Sequence, residues 1–147
     1  IMKITSNAFE QGTKIPTKYT CDGKDVSPSL LFSDIPPQAK SLALIMDDPD
    51  APRETWVHWV VWNITPDTSE IGEGEVPKGS MEGGTDFGRP GYGGPCPHLG
   101  THRYFFKLSA LDTKLALPKE STKKDLEAAM AGHVIEQAEL MGIYARG

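Results

Sequence analysis

Three apolar stretches of strand length stand out along the chain. Ser41-Leu42-Ala43-Leu44-Ile45-Met46 is continuously apolar, the pattern of a strand covered on both faces. It stops at Asp47-Asp48-Pro49, and prolines 49 and 52 fix φ and remove two donors, so a central strand cannot continue there. Thr55 to Ile64 is the strongest predicted strand. Simple alternation puts Trp56, His58, Val60 and Trp62 on one face and Val57, Trp59, Val61 and Asn63 on the other. Both faces are apolar, so both are expected to be covered. His102 to Leu108 alternates as well, with His102, Tyr104, Phe106 and Leu108 on one side and Arg103, Phe105, Lys107 and Ser109 on the other.

The remaining segments are less regular. Residues 2 to 32 hold short extended pieces. Among them are a predicted strand from Ile15 to Cys21, a turn at Cys21-Asp22-Gly23-Lys24-Asp25, and a strand resuming at Ser27 and closed by Asp34-Ile35-Pro36-Pro37. The glycine- and proline-rich segment from Thr65 to Gly100 is too long for a plain loop in a compact domain. A functional role and unrecognised short strands are both expected in it. Leu126, Met130, Val134, Ala138 and Met141 recur at near-helical spacing, which predicts one helix from Thr122 to Met141, capped by Ser121 or Thr122 and ended by Gly142. Ile143 to Arg146 is left as a short terminal strand or tail. The whole, residues 1–147, is expected to be a single domain.

Composition narrows the function classes. The chain has 15 Lys+Arg against 20 Asp+Glu, a formal charge of −5, and no basic run. Nucleic acid is therefore excluded as a partner, and so is electrostatic docking on an anionic membrane. No apolar run reaches membrane-spanning length. The first residues carry no apolar signal core, which gives the expectation of a cytoplasmic protein. Cys21 and Cys96 are too few for a disulfide scaffold and too far apart for a CxxC motif. Two reduced thiols are the favoured expectation for a cytosolic protein, with a bridge tying the early strand to the Gly93–Cys96 loop as the alternative.

The candidate chemistry lies where rigid loops meet strands. Asp48, His58, His102 and Tyr104 all stand at or near strand ends beside Pro/Gly loops. Taken singly, each has a plain structural explanation: Asp48 as a turn residue before proline, His58 as a core histidine, His98 as an exposed loop residue. Together they suggest one small pocket roofed by backbone amides of Gly93, Gly94 and Gly100. Asp48 would fix the tautomer of His58 or His102 and leave the other ring nitrogen to donate to an anion, with the Tyr104 hydroxyl as a further donor. An anion raises the pKa of a neighbouring imidazole, so binding should strengthen as pH falls toward the histidine reference value of about 6.5.

Other chemistries are weaker. His58, His102 and Asp48 offer a two-histidine, one-carboxylate metal set, but no paired spacing such as HExxH accompanies it. Cys96 and His98 sit in a loop where no base is placed by periodicity. Gly79-Ser80-Met81 is not a GxSxG elbow, and Asp86-Phe87-Gly88 matches a kinase triplet without its companion motifs. No catalytic motif is identified.

Two blocks, Asp48-Pro49-Asp50-Ala51-Pro52 with His58-Trp59, and Gly93-Gly94-Pro95-Cys96-Pro97 with Gly100-Thr101-His102-Arg103-Tyr104, resemble the signatures of the phosphatidylethanolamine-binding protein family. That family includes the Raf kinase inhibitor proteins. Cys21-Asp22-Gly23, Val26-Ser27-Pro28, Asp86-Phe87-Gly88, Gly91-Tyr92-Gly93-Gly94-Pro95-Cys96 and Gly132-His133-Val134 resemble its prokaryotic branch. The resemblance implies a mainly β fold: an antiparallel β-sandwich of a large and a small sheet with a C-terminal α-helix. It also implies a ligand pocket at Asp48, Trp56, His58, Gly94, Pro95, His102 and Tyr104 for a phosphate or phosphoethanolamine-like group, without a cofactor. Inhibition of a serine protease or kinase is the alternative it suggests, a homodimer is a further option, and a metal-dependent hydrolase is a distant one. His98, Thr85 and Val57 depart from residues common in the family at those positions.

Overall fold

A computed structural model describes residues 1–147. Eight strands and one helix follow one another as β1 (Lys3–Thr5), β2 (Leu30–Ser33), β3 (Ser41–Asp48), β4 (Trp56–Ile64), β5 (Glu70–Ile71), β6 (Met81–Glu82), β7 (His102–Leu111), α1 (Lys123–Met130) and β8 (Val134–Tyr144). They build a five-stranded sheet in the order β6-β4-β3-β7-β8 and a three-stranded sheet in the order β1-β2-β5. All the pairings within the two sheets are antiparallel.

The continuous apolar run of β3 is explained by two cores. Leu42, Leu44 and Met46 face the small sheet and join Ile4, Leu30, Phe32, Trp59, Val61, Tyr104, Phe106 and Leu108. Ala43 and Ile45 face the opposite way and join Val60, Trp62, Leu115, Leu126 and Met130 under the helix. The large sheet is thus covered on both sides, as the sequence of its central strands requires. At the end of β3 the fully buried Asp47 carboxylate meets Lys107 Nζ at 3.0 Å and Lys123 Nζ at 2.7 Å, which ties β3 and β7 to the start of α1.

Strand β4 does not keep simple alternation. Its pairing with β3 shifts register twice, between Met46 and Asp47 and again between Leu42 and Leu44. The first shift leaves His58 as an extra residue between Trp59, opposite Met46, and Val57, opposite Asp47. The second lies at Asn63, whose backbone is left-handed at φ 55°. There the Asn63 amide pairs with both the N–H and the C=O of Leu115, each at 2.8 Å, standing in for a strand neighbour. Bulges of this kind re-aim side chains.

Several expectations need correction. The predicted helix from Thr122 to Met141 is two elements. Thr122 caps α1 in a reciprocal capping box with Asp125, but the helix ends at Met130 and the chain reverses through Gly132 at φ +81°. From Ala138 onward the inward side chains are Ala138, Leu140, Gly142 and Tyr144, a period of two rather than 3.6, and they form β8. Gly142 is therefore no helix stop; any Cβ there would collide with Ile15 and Phe9, which pack over it. The predicted strand at Ile15–Cys21 is instead a 3-10 turn at Thr17–Tyr19. Just before it, Gly12 and Ile15 donate to the Met141 and Ile143 carbonyls and cover the outer edge of β8.

The cysteines also overturn the favoured expectation. Cys21 and Cys96 are bridged, closing a sequence separation of 75 residues. The segment between Thr65 and Gly100 does contain short strands, β5 and β6. No helix is long and apolar enough to cross a membrane.

Candidate anion-binding site

The C-terminal end of β3 and the N-terminal ends of β4 and β7 meet at one end of the large sheet. Between them lies a cavity of about 290 Å³ lined by Asp48, Trp56, His58, Tyr104, His102 and Phe87, with Ala51, Pro52, Cys96, Pro97 and His98 at its sides. The four side chains singled out from the sequence as a constellation therefore share one pocket. Trp56 lines it too.

Asp48 combines its two readings. Oδ1 accepts the Asp50 N–H at 2.8 Å, the turn expected before Pro49, while Oδ2 accepts from His102 Nδ1 at 2.6 Å. The carboxylate thus holds His102, not His58. His102 Nε2 faces the Leu99 carbonyl at 3.1 Å. Both ring nitrogens meet acceptors, an arrangement the ring fills completely when it carries both protons. His102 has no nitrogen left for a ligand, contrary to the expectation that it donates to one. It presents its face instead, stacked on Tyr104 with centroids 6.4 Å apart. Beside it, Asp50 takes a forked pair of bonds from Arg103, which holds the Asp50 carboxyl below the usual carboxylate range.

His58 is held differently. Its Nδ1 lies 2.7 Å from the Gly93 carbonyl, an atom that can only accept, so Nδ1 carries the hydrogen. Burial lowers the His58 pKa below the ordinary histidine value, against the opposing pull of that Gly93 bond and of Asp48. The ring lies edge-on to Tyr104 and to Phe87, each with centroids 5.2 Å away. Tyr104 is fully buried, and its hydroxyl hydrogen finds no acceptor within the protein. Burial raises the pKa of that phenol, as do the Asp48 and Asp50 charges, so it stays a donor; the Cys96 backbone N–H acts weakly in the opposite sense.

The glycine loop does not roof the pocket with free amides. The Gly93 N–H donates to the His58 carbonyl at 3.0 Å, and the Gly94 N–H to Asp25 Oδ1 at 2.8 Å. Gly94 and Pro95 lie outside the cavity lining. A Cβ on Gly94 would strike the Tyr19 carbonyl and the Thr20 backbone, and the Pro95 carbonyl accepts the Cys21 N–H at 3.1 Å. These two residues, with the disulfide, seat the 17–25 loop against the loop that carries Cys96. Gly100 stays exposed at the loop's tip.

Phe87 is a lining residue beyond those expected, although its Asp86-Phe87-Gly88 triplet belongs to the family resemblance. Asp86 Oδ2 accepts the Val57 N–H at 2.7 Å, and the absence of a side chain on Gly93 lets the Phe87 ring lie over that glycine and His58. An aromatic residue between Asp86 and Gly88, within a glycine-rich segment, is the signal the sequence offers. His98, expected to be merely exposed, also borders the cavity. The side chains do not converge as metal ligands: the structure holds no group of three or more His, Cys, Asp or Glu able to hold an ion.

Comparison with known proteins agrees with this architecture. The model of the family "Phosphatidylethanolamine-binding protein" matches residues 5–145. The UPF0098 protein of Methanothermobacter thermautotrophicus is 50% identical, over 99% of this chain and 100% of its own. The UPF0098 protein of Aquifex aeolicus is 49% identical, over 99% of this chain and 90% of its own. Among solved structures, a phosphatidylethanolamine-binding protein homolog of Chlamydia trachomatis superposes with a TM-score of 0.96 at 46% identity, covering 99% of this chain and 98% of that one. E. coli YbcL superposes with a TM-score of 0.93 at 31% identity, covering 99% of each. By sequence and by fold, this chain belongs to the phosphatidylethanolamine-binding protein family.

Proposed function

We propose that the protein binds a small phosphate-type anion, the group a phosphoethanolamine head group carries, in the cavity between Asp48, His58, His102 and Tyr104. One observation carries this reading: the Tyr104 hydroxyl is a buried donor with no partner in the protein, at a cavity of about 290 Å³. Leaving such a group unpaired costs about 1–3 kcal/mol, which an oxygen-rich ligand recovers. The polar cup with an apolar rim of Trp56, Phe87 and Pro97 suits a terminal phosphate, free or carried on a partly apolar group. We read the activity as binding rather than turnover, since both His102 nitrogens are engaged and the Asp48–His102 pair has no nitrogen free to act as a base. Titration with phosphate and phosphoethanolamine, followed by NMR, tests this. His58 and Tyr104 signals should move, and signals unchanged at millimolar ligand would defeat the proposal.

A second reading, inhibition of a serine protease or kinase, is favoured by a separate observation. Leu99 is 86% exposed on a loop held at its base by the Cys21–Cys96 bridge, the form in which a rigid segment is offered to a partner's pocket. Assays against panels of both enzyme classes test it, and no inhibition in either panel would remove it. The bridge also bears on location. Disulfides persist in oxidising compartments and inside hyperthermophiles, which fits poorly with the ordinary reducing cytoplasm expected from the sequence.

A further inference from the structure

The cavity offers its ligand two buried groups of opposite kind. Tyr104 offers an O–H with no acceptor in the protein. His58 offers a lone pair: its hydrogen is on Nδ1, directed at the Gly93 carbonyl 2.7 Å away, and Nε2, on the other side of the ring, has no protein partner. That choice of tautomer is fixed by the backbone. Gly93 is locked in turn, because its own N–H donates back to the His58 carbonyl at 3.0 Å. The two residues clasp each other, and the ring cannot turn over without breaking the clasp.

We propose that this cavity selects an oxyanion that still carries a hydroxyl proton, with His58 as the residue that reads the proton. One ligand oxygen accepts from Tyr104 and a ligand O–H donates to His58 Nε2. The shared chemistry is a terminal phosphate bearing at least one proton, either inorganic phosphate or a monoester in its singly charged form. Sulfate, phosphodiesters and doubly ionised monoesters have only acceptors and place a negative oxygen against the His58 lone pair. A site built to pair a ligand hydroxyl discriminates strongly against analogues that lack it, because its own polar group is left unpaired. The inference rests on the anion-binding reading above and specifies which anion it takes.

The surroundings keep His58 neutral. Desolvation works against a charge on the ring. The charged groups that favour one are Asp48 on β3, Asp47 on the opposite face of the same strand, and Asp25 on the 17–25 loop. Asp48 is already engaged with His102. Tyr104 from β7 and Phe87 from the Thr85–Gly88 turn present ring faces or edges, not charges.

The test compares four soluble probes by calorimetry at pH 8 and pH 5.5: inorganic phosphate, sulfate, ethyl phosphate and dimethyl phosphate. Inorganic phosphate keeps a proton at both pH values and should bind at both. Sulfate and dimethyl phosphate should bind at least about tenfold more weakly. Ethyl phosphate, whose second pKa is about 6, should bind at pH 5.5 and weaken about tenfold by pH 8. Phosphate and ethyl phosphate thus separate a free ion from an esterified source. A His58→Gln variant, which can supply an amide N–H, should bring sulfate closer to phosphate. If that variant does not fold, the wild-type ratios decide alone. Sulfate matching phosphate at pH 8, or ethyl phosphate keeping full affinity there, overturns the selection by His58 while leaving anion binding intact. No binding of any probe overturns the anion-binding reading, and this inference with it.

Discussion

His58 and Tyr104 stand edge to face with ring centroids 5.2 Å apart because β4 carries one more residue than β3 between Trp59 and Val57. Without that bulge, alternation would turn His58 toward the helix side with Val60 and Trp62. With it, His58 joins the face of the sheet that carries Tyr104. The pocket therefore depends on a register shift, and the shift positions an acceptor beside an unpaired donor.

Tyr104→Phe separates stability from binding. It deletes a buried hydroxyl whose hydrogen has no acceptor, so the folded protein should keep its stability or gain about 1 kcal/mol. Phosphate affinity should fall about tenfold or more, the loss of one hydrogen bond to a charged group. Urea unfolding and calorimetry on the same preparation check both, and a variant that loses stability but not affinity contradicts the assignment of Tyr104 as ligand donor.

Stability should depend on pH through His58. Its pKa is lowered in the folded protein, so between that value and the unfolded value of about 6.5 the unfolded chain binds more protons. Stability then rises with pH across this window, is complete above about pH 7, and is lost as the pH falls through the folded pKa. His58→Gln should flatten the slope between about pH 5 and 7, measured as the urea midpoint against pH. An unchanged slope would place its origin elsewhere.

Asp48→Asn should preserve the turn at Asp50 but weaken the hold on His102. Oδ1 keeps its bond to the Asp50 N–H, whereas the charge-assisted contact at 2.6 Å is lost in a buried setting. The expected cost is about 1–3 kcal/mol, together with a shifted His102 ring resonance. A fully stable variant with an unmoved resonance would show that the pair does not hold the pocket wall.

Removing the disulfide with Cys21→Ser and Cys96→Ser should cost about 4 kcal/mol by chain entropy, given a closed loop of this length. Cys96 also lines the cavity, so phosphate affinity should fall in the folded fraction. Reduction of the wild type with a dithiol should reproduce both effects. A double variant with native affinity would detach the bridge from the site.

Gly94→Ala tests what that glycine is for. Its Cβ would collide with backbone atoms of Tyr19 and Thr20, which cannot swing aside as a side chain can. A loss of about 1–3 kcal/mol is expected, with ligand affinity per folded molecule little changed. Strong loss of affinity at unchanged stability would restore Gly94 to the role of direct ligand contact.

Much was legible in advance because it rests on local pattern. The apolar run at Ser41–Met46, the alternation at His102–Leu108 and the Pro/Gly breaks around Asp48 each specify one element, and those elements formed. A C-terminal helix running to Met141 is too long because Val134, Ala138 and Met141 fit a helical period while Leu140, Gly142 and Tyr144 fit a strand. Only the partner decides between such patterns, and β7 supplies it by pairing Tyr104 with Gly142 and Phe106 with Leu140. The resemblance implies pocket roles for Gly94 and Pro95, and a glycine's need for close approach is visible in sequence, while the thing approached is not. Here it is the Tyr19 backbone.

By itself the sequence determined a mainly β chain with strong central strands and a set of polar residues concentrated at their ends. Hydrophobic periodicity and proline chemistry act over a few residues and need no partner to be read. Tertiary structure alone decided that Asp48 grips His102, that Gly93 fixes the His58 tautomer, and that Cys21 meets Cys96. Each of these is a contact between segments brought together by sheet register, and a single bulged residue in β4 sets which side chains share the cavity.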